Sequence, residues 1–340
     1  MDPRIVELHR RAATQRGVIC LAGGLPCVEL MPRAELACAL AEVSGGALQY
    51  TWPEGDAALR AWIAARLSTR GAVISPERVI VTAGAQQALA LAGALVPGAI
   101  AVGDATYPGA LDAFPRAAVT GDACYVIEGV SNPQGVARSD RDELLASGRT
   151  LIADEAYAEL RFDGRVPRPL VADAPDRVWH VGTVAKTIAP GLRVGWLVPP
   201  RAHHAATLAR KQAADLQTSS VVQAALARLV ATIDHEALVA RARAAYAVRA
   251  AILGAALRRH LPSLRFAEPE GGLAIWAETD DRRDELALAR AALACGVTFD
   301  PGSAFRTTPS ERIALRLGFA SARLGDLVEG VRRLARAFAL

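Results

Sequence analysis

Lysine is all but missing from this chain: of its 39 basic residues only Lys186 and Lys211 are lysine, and the rest are arginine. Cysteine is scarce as well. Cys20, Cys27, Cys38, Cys124 and Cys295 are scattered, odd in number and without metal-ligand spacing. That argues against a disulfide framework or a structural metal site and suggests reduced thiols in the cytosol. Long apolar runs are lacking: the longest, Ala88 to Val102, is broken by Pro97-Gly98 and is too short to span a bilayer. The first residues, MDPRIVELHRRAATQRG, have no apolar core of the signal-peptide kind. A strong excess of one charge is missing too, the net being +4, and no basic run is interleaved with aromatics. Together these absences predict a cytoplasmic protein with neither membrane nor nucleic acid as partner. What is present is 340 residues at 52% hydrophobic content, without low-complexity tracts or fixed-period repeats, which is enough to bury a large core.

Helical and strand patterns alternate through the middle of the chain. Asp56 to Leu67 and Gln86 to Leu95 have helical periodicity. Short apolar strands are predicted at Arg78 to Val81, Ala99 to Val102, Cys124 to Ile127, Thr150 to Ala153, Val178 to Val181 and Gly195 to Val198. This alternation predicts an α/β fold with a mostly parallel central sheet. Asp234 to His260 reads as one long helix leading into a different texture, with strands near Gly272 to Ala277 and Ile313 to Gly318. The expected division is a large domain over residues 41–234 and a small α+β domain from residues 1–40 and 235–340.

Lysine can do what arginine cannot: its amine can lose a proton and attack a carbonyl to form a Schiff base. Lys186 lies just beyond the predicted buried strand at Val178 to Val181, and catalytic groups in open α/β sheets gather at strand C-termini. A second strand, in LIADEAY, ends at Asp154, 32 residues before Lys186 and about one βαβ step away. Asp154 could cap a helix; it could also pair with the protonated ring nitrogen of pyridoxal phosphate. VTAGAQQALALAG passes from strand to helix through Gly84, so the free N–H groups of Gly84, Ala85 and Gln86 would face an anion. Thr183 and Arg193 add a hydroxyl and a guanidinium suited to a phosphate, though a turn hydroxyl and a solvated charge would serve equally. Asn132, in turn chemistry after the strand Cys124 to Ile127, and Tyr157 could both donate to a ring oxygen.

The ordered set LAGGLP, YTWPEGDAALR, TAGAQQAL, GDATYPGA, SNPQG, ADEAY, TVAKTIAPGLRVGW, GGLAIW, PGSAF and RIALRLGFA resembles the class I aminotransferases of PLP fold type I. Within them it is most similar to the 2-aminoadipate type and to the aminotransferase-like halves of certain bacterial regulators. The motifs run from Leu21 to about Leu334. The resemblance implies a large domain built on a mostly parallel seven-stranded sheet. It implies pyridoxal 5'-phosphate as cofactor and Lys186 as its Schiff-base lysine and proton shuttle. Asp154 would pair with the ring nitrogen, Asn132 and Tyr157 would bind the ring hydroxyl, and Tyr107 would stack on the ring. Gly84, Ala85, Gln86, Thr183 and Arg193 would hold the phosphate. Tyr50 would reach the phosphate of a neighbouring subunit, implying a homodimer with shared sites. Arg316, with Gly24 and Asn132, would take the substrate carboxylate in moving an amino group between an amino acid and a 2-oxo acid.

Three departures stand out. Tyr107 and Asn132 are only 25 positions apart, where relatives carry a longer crossover, so a sheet strand or covering loop could be missing. Ala185 precedes the lysine where serine is common, and Glu128 lies near a usual proline. These motivate an alternative chemistry on the same cofactor: a lyase, decarboxylase, cyclase or oxidase. A ligand-sensing regulator is a further alternative, disfavoured because the aminotransferase-like pattern already begins at Leu21. Arg16, Trp52 and Arg306 are candidate side-chain pocket residues.

Overall fold

The computed structural model describes residues 3–310 and 312–340; Met1 and Asp2, at the start of the expected small domain, lie outside the described residues. The chain begins with α1 (Pro3–Thr14), β1 (Ile19–Leu21), α2 (Arg33–Ala41) and α3 (Ala57–Thr69). Then come β2 (Ile80–Thr82), α4 (Ala85–Leu95), β3 (Ile100–Ala101), α5 (Pro108–Ala113), β4 (Ala117–Ala118), β5 (Ala123–Ile127) and α6 (Arg141–Ala146). β6 (Thr150–Asp154), β7 (Val178–Thr183), β8 (Gly195–Val198), α7 (His204–Asp215), α8 (Ser220–Thr232) and α9 (His235–His260) follow. The last elements are β9 (Arg265–Phe266), β10 (Ala274–Thr279), α10 (Glu285–Ala294), β11 (Val297–Pro301), β12 (Ile313–Gly318) and α11 (Leu324–Ala339).

Local chemistry explains several boundaries. Asp56, Asp234 and Asp284 each cap a helix, their side chains accepting from the N–H of Leu59, Ala237 and Ala287 at 2.9, 2.9 and 2.7 Å. The helices expected from Asp56 and Asp234 therefore start one residue later than their caps. α3 buries Leu59, Ile63 and Leu67 on one stripe, each contributing about 1.5–3 kcal/mol of burial. The strand expected at Arg78 to Val81 is a 3-10 turn at Pro76–Arg78 followed by β2, and the one expected at Gly272 to Ala277 starts two residues late. Gly272, at φ +78°, still belongs to the turn before β10.

Seven strands form one sheet in the order β2-β8-β7-β6-β5-β3-β4, and β8 alone runs antiparallel to its neighbours. The sheet is therefore complete, and the expectation of a missing strand is corrected. The short crossover between Tyr107 and Asn132 is absorbed by a six-residue α5 and by β4, an edge strand of two residues. The parallel register aligns Ile127 with Asp154 and Asp154 with Val181, so the C-terminal ends of β5, β6 and β7 form one rim. A second, five-stranded sheet has the order β1-β11-β12-β10-β9. Its core draws Leu21, Leu253, Leu257, Ile275, Leu315, Leu317 and Leu334 from β1, α9, β10, β12 and α11. Because β1 pairs with β11, the Gly23-Gly24 turn that follows it lies near the rim of the large sheet.

Candidate active site

The rim positions bring one pocket together. Ala85, Gln86, Tyr107, Asn132, Asp154, Tyr157, Thr183, Lys186 and Arg193 all line it, joined by Ile127, Ala156, Ala185 and Pro190. Asp154, the last residue of β6, is buried and accepts from Tyr125 Oη at 2.8 Å and Ala156 N at 2.9 Å. Burial pushes its carboxyl above the usual range, while those two donors and the charge of Lys186 act in the opposite direction. A carboxylate so placed is suited to a cationic ring nitrogen, which would offset its desolvation. Lys186 Nζ lies 3.5 Å from Gly24 O and 5.5 Å above the Tyr157 ring, with no carboxylate at ion-pair distance among the described residues. Asn132 is buried beside it, before a cis bond to Pro133.

The other end of the pocket is an anion cradle. Gly84 adopts φ +85°, and a Cβ there would lie 2.7 Å from Arg193 Nη2. Arg193 is itself left-handed (φ 52°) at the end of a 3-10 turn, and its Nη2 donates to Ala83 O at 3.2 Å. A Cβ on Gly195 would lie 2.7–2.8 Å from the Gly84 carbonyl carbon and Ala85 N, so only glycine lets β8 pass so close. One expectation is corrected here. The Gly84 N–H donates to Thr82 O at 2.8 Å, because the chain turns tightly out of β2; only Ala85 and Gln86 present first-turn N–H groups. Thr183 also has its single O–H engaged, donating to Val194 O at 2.8 Å while accepting from Ala185 N at 3.1 Å. Gln86 fixes Tyr107: its Nε2 donates to Gly109 O at 2.6 Å and its Oε1 accepts from the Tyr107 hydroxyl at 3.2 Å. Burial raises that phenol above its ordinary value.

At the mouth, Gly24 (φ +52°) presses on Arg316: a Cβ at Gly24 would lie 2.1 Å from Arg316 Nη2. Arg316 is buried, stacks over Phe305 at 5.4 Å and donates from Nη1 to Asp300 Oδ2 at 2.9 Å. Tyr50 is 78% exposed and does not line the pocket of its own chain. Arg16, Trp52 and Arg306 do not line it either. Arg16 and Trp52 are exposed, and Arg306 is held by Asp104 and Glu278 over the Trp276 ring.

Three features escaped the sequence reading. Tyr125, the partner of Asp154, was legible in principle as the lone tyrosine on the neighbouring strand. Asp300 sits opposite Arg316 only because of strand register. The third is a buried polar cluster in which one atom each of Glu128, Glu155 and His180 lie within 4.8 Å of one another. Arg70 grips Glu155 with both terminal nitrogens at 2.7 and 2.8 Å, and Trp196 Nε1 donates to His180 Nε2 at 3.2 Å. Burial and then the charge of Glu155 push Glu128 well above the carboxylate range. Burial resists ionisation of Glu155 too, but His180 and Arg70 outweigh it and hold it low. With the Arg70 cation already on Glu155, the arrangement favours the charged form of Glu155 and the neutral form of Glu128.

No protein-family model matches the chain. It is 34% identical over 367 residues to the 2-aminoadipate transaminase of Thermus thermophilus, covering 95% of this chain and 91% of that protein. The solved structure of LysN, the α-aminoadipate aminotransferase of Thermus thermophilus, holds N-(5'-phosphopyridoxyl)-L-leucine. It superposes with a TM-score of 0.87 at 30% identity over 98% of this chain and 94% of that one. A kynurenine aminotransferase from Pyrococcus horikoshii gives a TM-score of 0.90 at 29% identity over 100% and 95% of the two chains. An Escherichia coli protein described as the uncharacterized HTH-type transcriptional regulator YdcR is 31% identical over 338 residues, 87% of this chain and 72% of its own length.

Proposed function

This chain belongs to the class I aminotransferases of PLP fold type I, enzymes that use pyridoxal phosphate for transamination, and on that premise we propose which residues do the work. The observation that carries the proposal is the convergence of Lys186, Asp154, Tyr157, Asn132 and Arg193 from separate segments on one pocket. When bound, the cofactor supplies an electrophilic carbon for the lysine amine and a ring that accepts the electron pair left when a Cα proton departs.

Lys186 anchors the cofactor, and its freed amine moves the Cα proton; neither task is open to a guanidinium. Asp154, at the end of β6, would pair with the cofactor's ring nitrogen and so support the ring as an acceptor of electrons. Asn132 and Tyr157 would hold the ring oxygen, and Tyr107, braced by Gln86, would cover the ring. The first-turn N–H groups of Ala85 and Gln86 and the Arg193 guanidinium would form the phosphate cradle, with Gly84 leaving room for Arg193 and Thr183 lining the wall. Arg316 and Gly24 take the substrate carboxylate, which fixes which bond at Cα faces Lys186. The exposed Tyr50 completes the cradle of a second copy, so the working unit is a homodimer. The division into residues 41–234 and 1–40 with 235–340, a cytoplasmic location and the absence of a nucleic-acid partner belong to the same reading. Among the described residues no helix is long and apolar enough to cross a membrane.

The test is a panel of amino acids added singly to the loaded protein while the cofactor's absorbance is followed. Loss of the long-wavelength band with release of the matching 2-oxo acid supports amino transfer. Ammonia, carbon dioxide or peroxide released without that loss would move the protein to the lyase, decarboxylase or oxidase chemistries.

A further inference from the structure

The arginine assigned to the substrate carboxylate already has a carboxylate. Asp300 and Arg316 face each other as register partners across β11 and β12, and both are buried. Asp300 is fixed on each side. Its Oδ2 accepts from Arg316 Nη1 and from the Gly23 N–H, both at 2.9 Å, and its Oδ1 lies 3.5 Å from His9 Nε2 on α1. Swinging away would leave a part-buried amide without its acceptor and a buried charge without its counterion. Arg316 is fixed as well, over the Phe305 ring and with its Nη2 in the space that a Cβ on Gly24 would fill. The site therefore offers its substrate a guanidinium whose charge is balanced and one of whose terminal nitrogens is engaged. Arg306 cannot replace it, being held by Asp104 and Glu278.

Resting on the reading of this site as a transaminase site with Arg316 at its carboxylate end, we propose that Asp300 sets the donor specificity. It weakens the grip on an α-carboxylate and opens the site to primary amines that lack one, such as amino-acid carboxamides. A strong carboxylate–guanidinium pair needs two parallel N–H donors and an uncompensated positive charge. Here an incoming carboxylate shares the guanidinium with a fixed like charge, whereas a carboxamide or alkyl group meets no such repulsion. Specificity is a difference of affinities, and a built-in repulsive element acts on one class alone. The transfer balances as usual: the donor carbon exchanges its amino group for an oxo group, and the 2-oxo acid acceptor, whose carboxylate meets the same weakened grip, gains the amine.

The holoenzyme and its Asp300→Asn form are compared on the amino acid that reacts best in the panel and on the carboxamide of that same amino acid. Asparagine keeps an acceptor for Gly23 and removes the charge; Asp300→Ser, checked for cofactor absorbance and thermal unfolding, serves if Asp300→Asn does not fold. The expected result is a KM for the amino acid lower by about ten- to a hundredfold, the scale of a hydrogen bond to a charged group. The carboxamide should change by less than about threefold, because it carries no charge for Asp300 to repel. Calorimetric titration with hexanoate should show tighter binding by a factor similar to that for the amino acid. An unchanged or raised KM for the amino acid, with hexanoate binding no tighter, would overturn the proposal and make Asp300 a residue that positions Arg316 for carboxylates. If neither donor alters the wild-type cofactor spectrum, the transaminase reading fails instead, and the hexanoate titration still decides the role of Asp300.

Discussion

The two lysines of this chain occupy regions that treat an amine in opposite ways. Lys211, on α7, has no exposed surface, and its Nζ donates to Asp215 Oδ1 at 2.7 Å. Asp215 also accepts from Gln87 Nε2 at 2.8 Å, and Gln87 Oε1 accepts the Ala83 N–H at 2.8 Å. Burial lowers the Lys211 amine below the usual lysine range, and the bond to Asp215 acts to raise it. Lys186 follows β7 in a loop, half-buried at a pocket wall, with a carbonyl and a ring face as its contacts. Rarity is common to both lysines, so it cannot separate their roles. A fixed carboxylate partner can: it holds an amine as a structural ammonium, while an amine facing an open pocket is free to meet a carbonyl.

Replacing the two lysines should break the comparison in different observables. Lys186→Ala should lower turnover by on the order of 10⁴-fold or more, since the general-base contribution alone reaches that size, with unfolding little changed. Asp154→Asn tests the buried acid behind the same lysine. Loss of a charge aimed at the reacting system should reduce kcat by about 10²–10³-fold in steady-state assays.

Lys211→Met should instead act on stability. Chemical unfolding should show a loss of ~2 kcal/mol, below the 3–5 of a fully buried pair because Asp215 retains some exposure, while bound cofactor still titrates one per chain. A smaller effect comes from the acid pair under the sheet. Folded Glu128 keeps a proton that the unfolded chain releases near the ordinary 4.5, so stability falls as pH rises from there to its raised value. Glu155, held low, adds stability only over the range below 4.5, as pH rises through its lowered value. Unfolding followed against pH should show a wild-type decline above 4.5 to which Glu128 contributes up to about 1.4 kcal/mol per pH unit, and Glu128→Gln should remove that part and leave the share of the raised Asp154.

Much of this was legible in the sequence because the signals are local. Apolar runs ending at Asp154 and Val181, glycine at 84 and aspartates at 56 and 234 act within a few residues of themselves, although β7 runs two residues further, to Thr183. The features that were not legible depend on register and on atoms far apart in the chain. Asp300 meets Arg316, and Glu128 meets Glu155, only after strands align. Gly84 reads as a free donor until the tightness of its turn is seen. The ion pairs of Arg306 with Asp104 and Glu278 likewise join residues far apart in the chain. Edge strand β4, two alanines long, carries no pattern at all, so its persistence despite the short crossover could only be observed.

The central claim is that one lysine of two carries the cofactor. Borohydride reduction of the loaded protein followed by peptide mass mapping tests it directly, because the chain has only two lysines to search. The phosphopyridoxyl mass is expected on the peptide containing Lys186 and not on that containing Lys211. Label on Lys211, or on neither peptide, would contradict it.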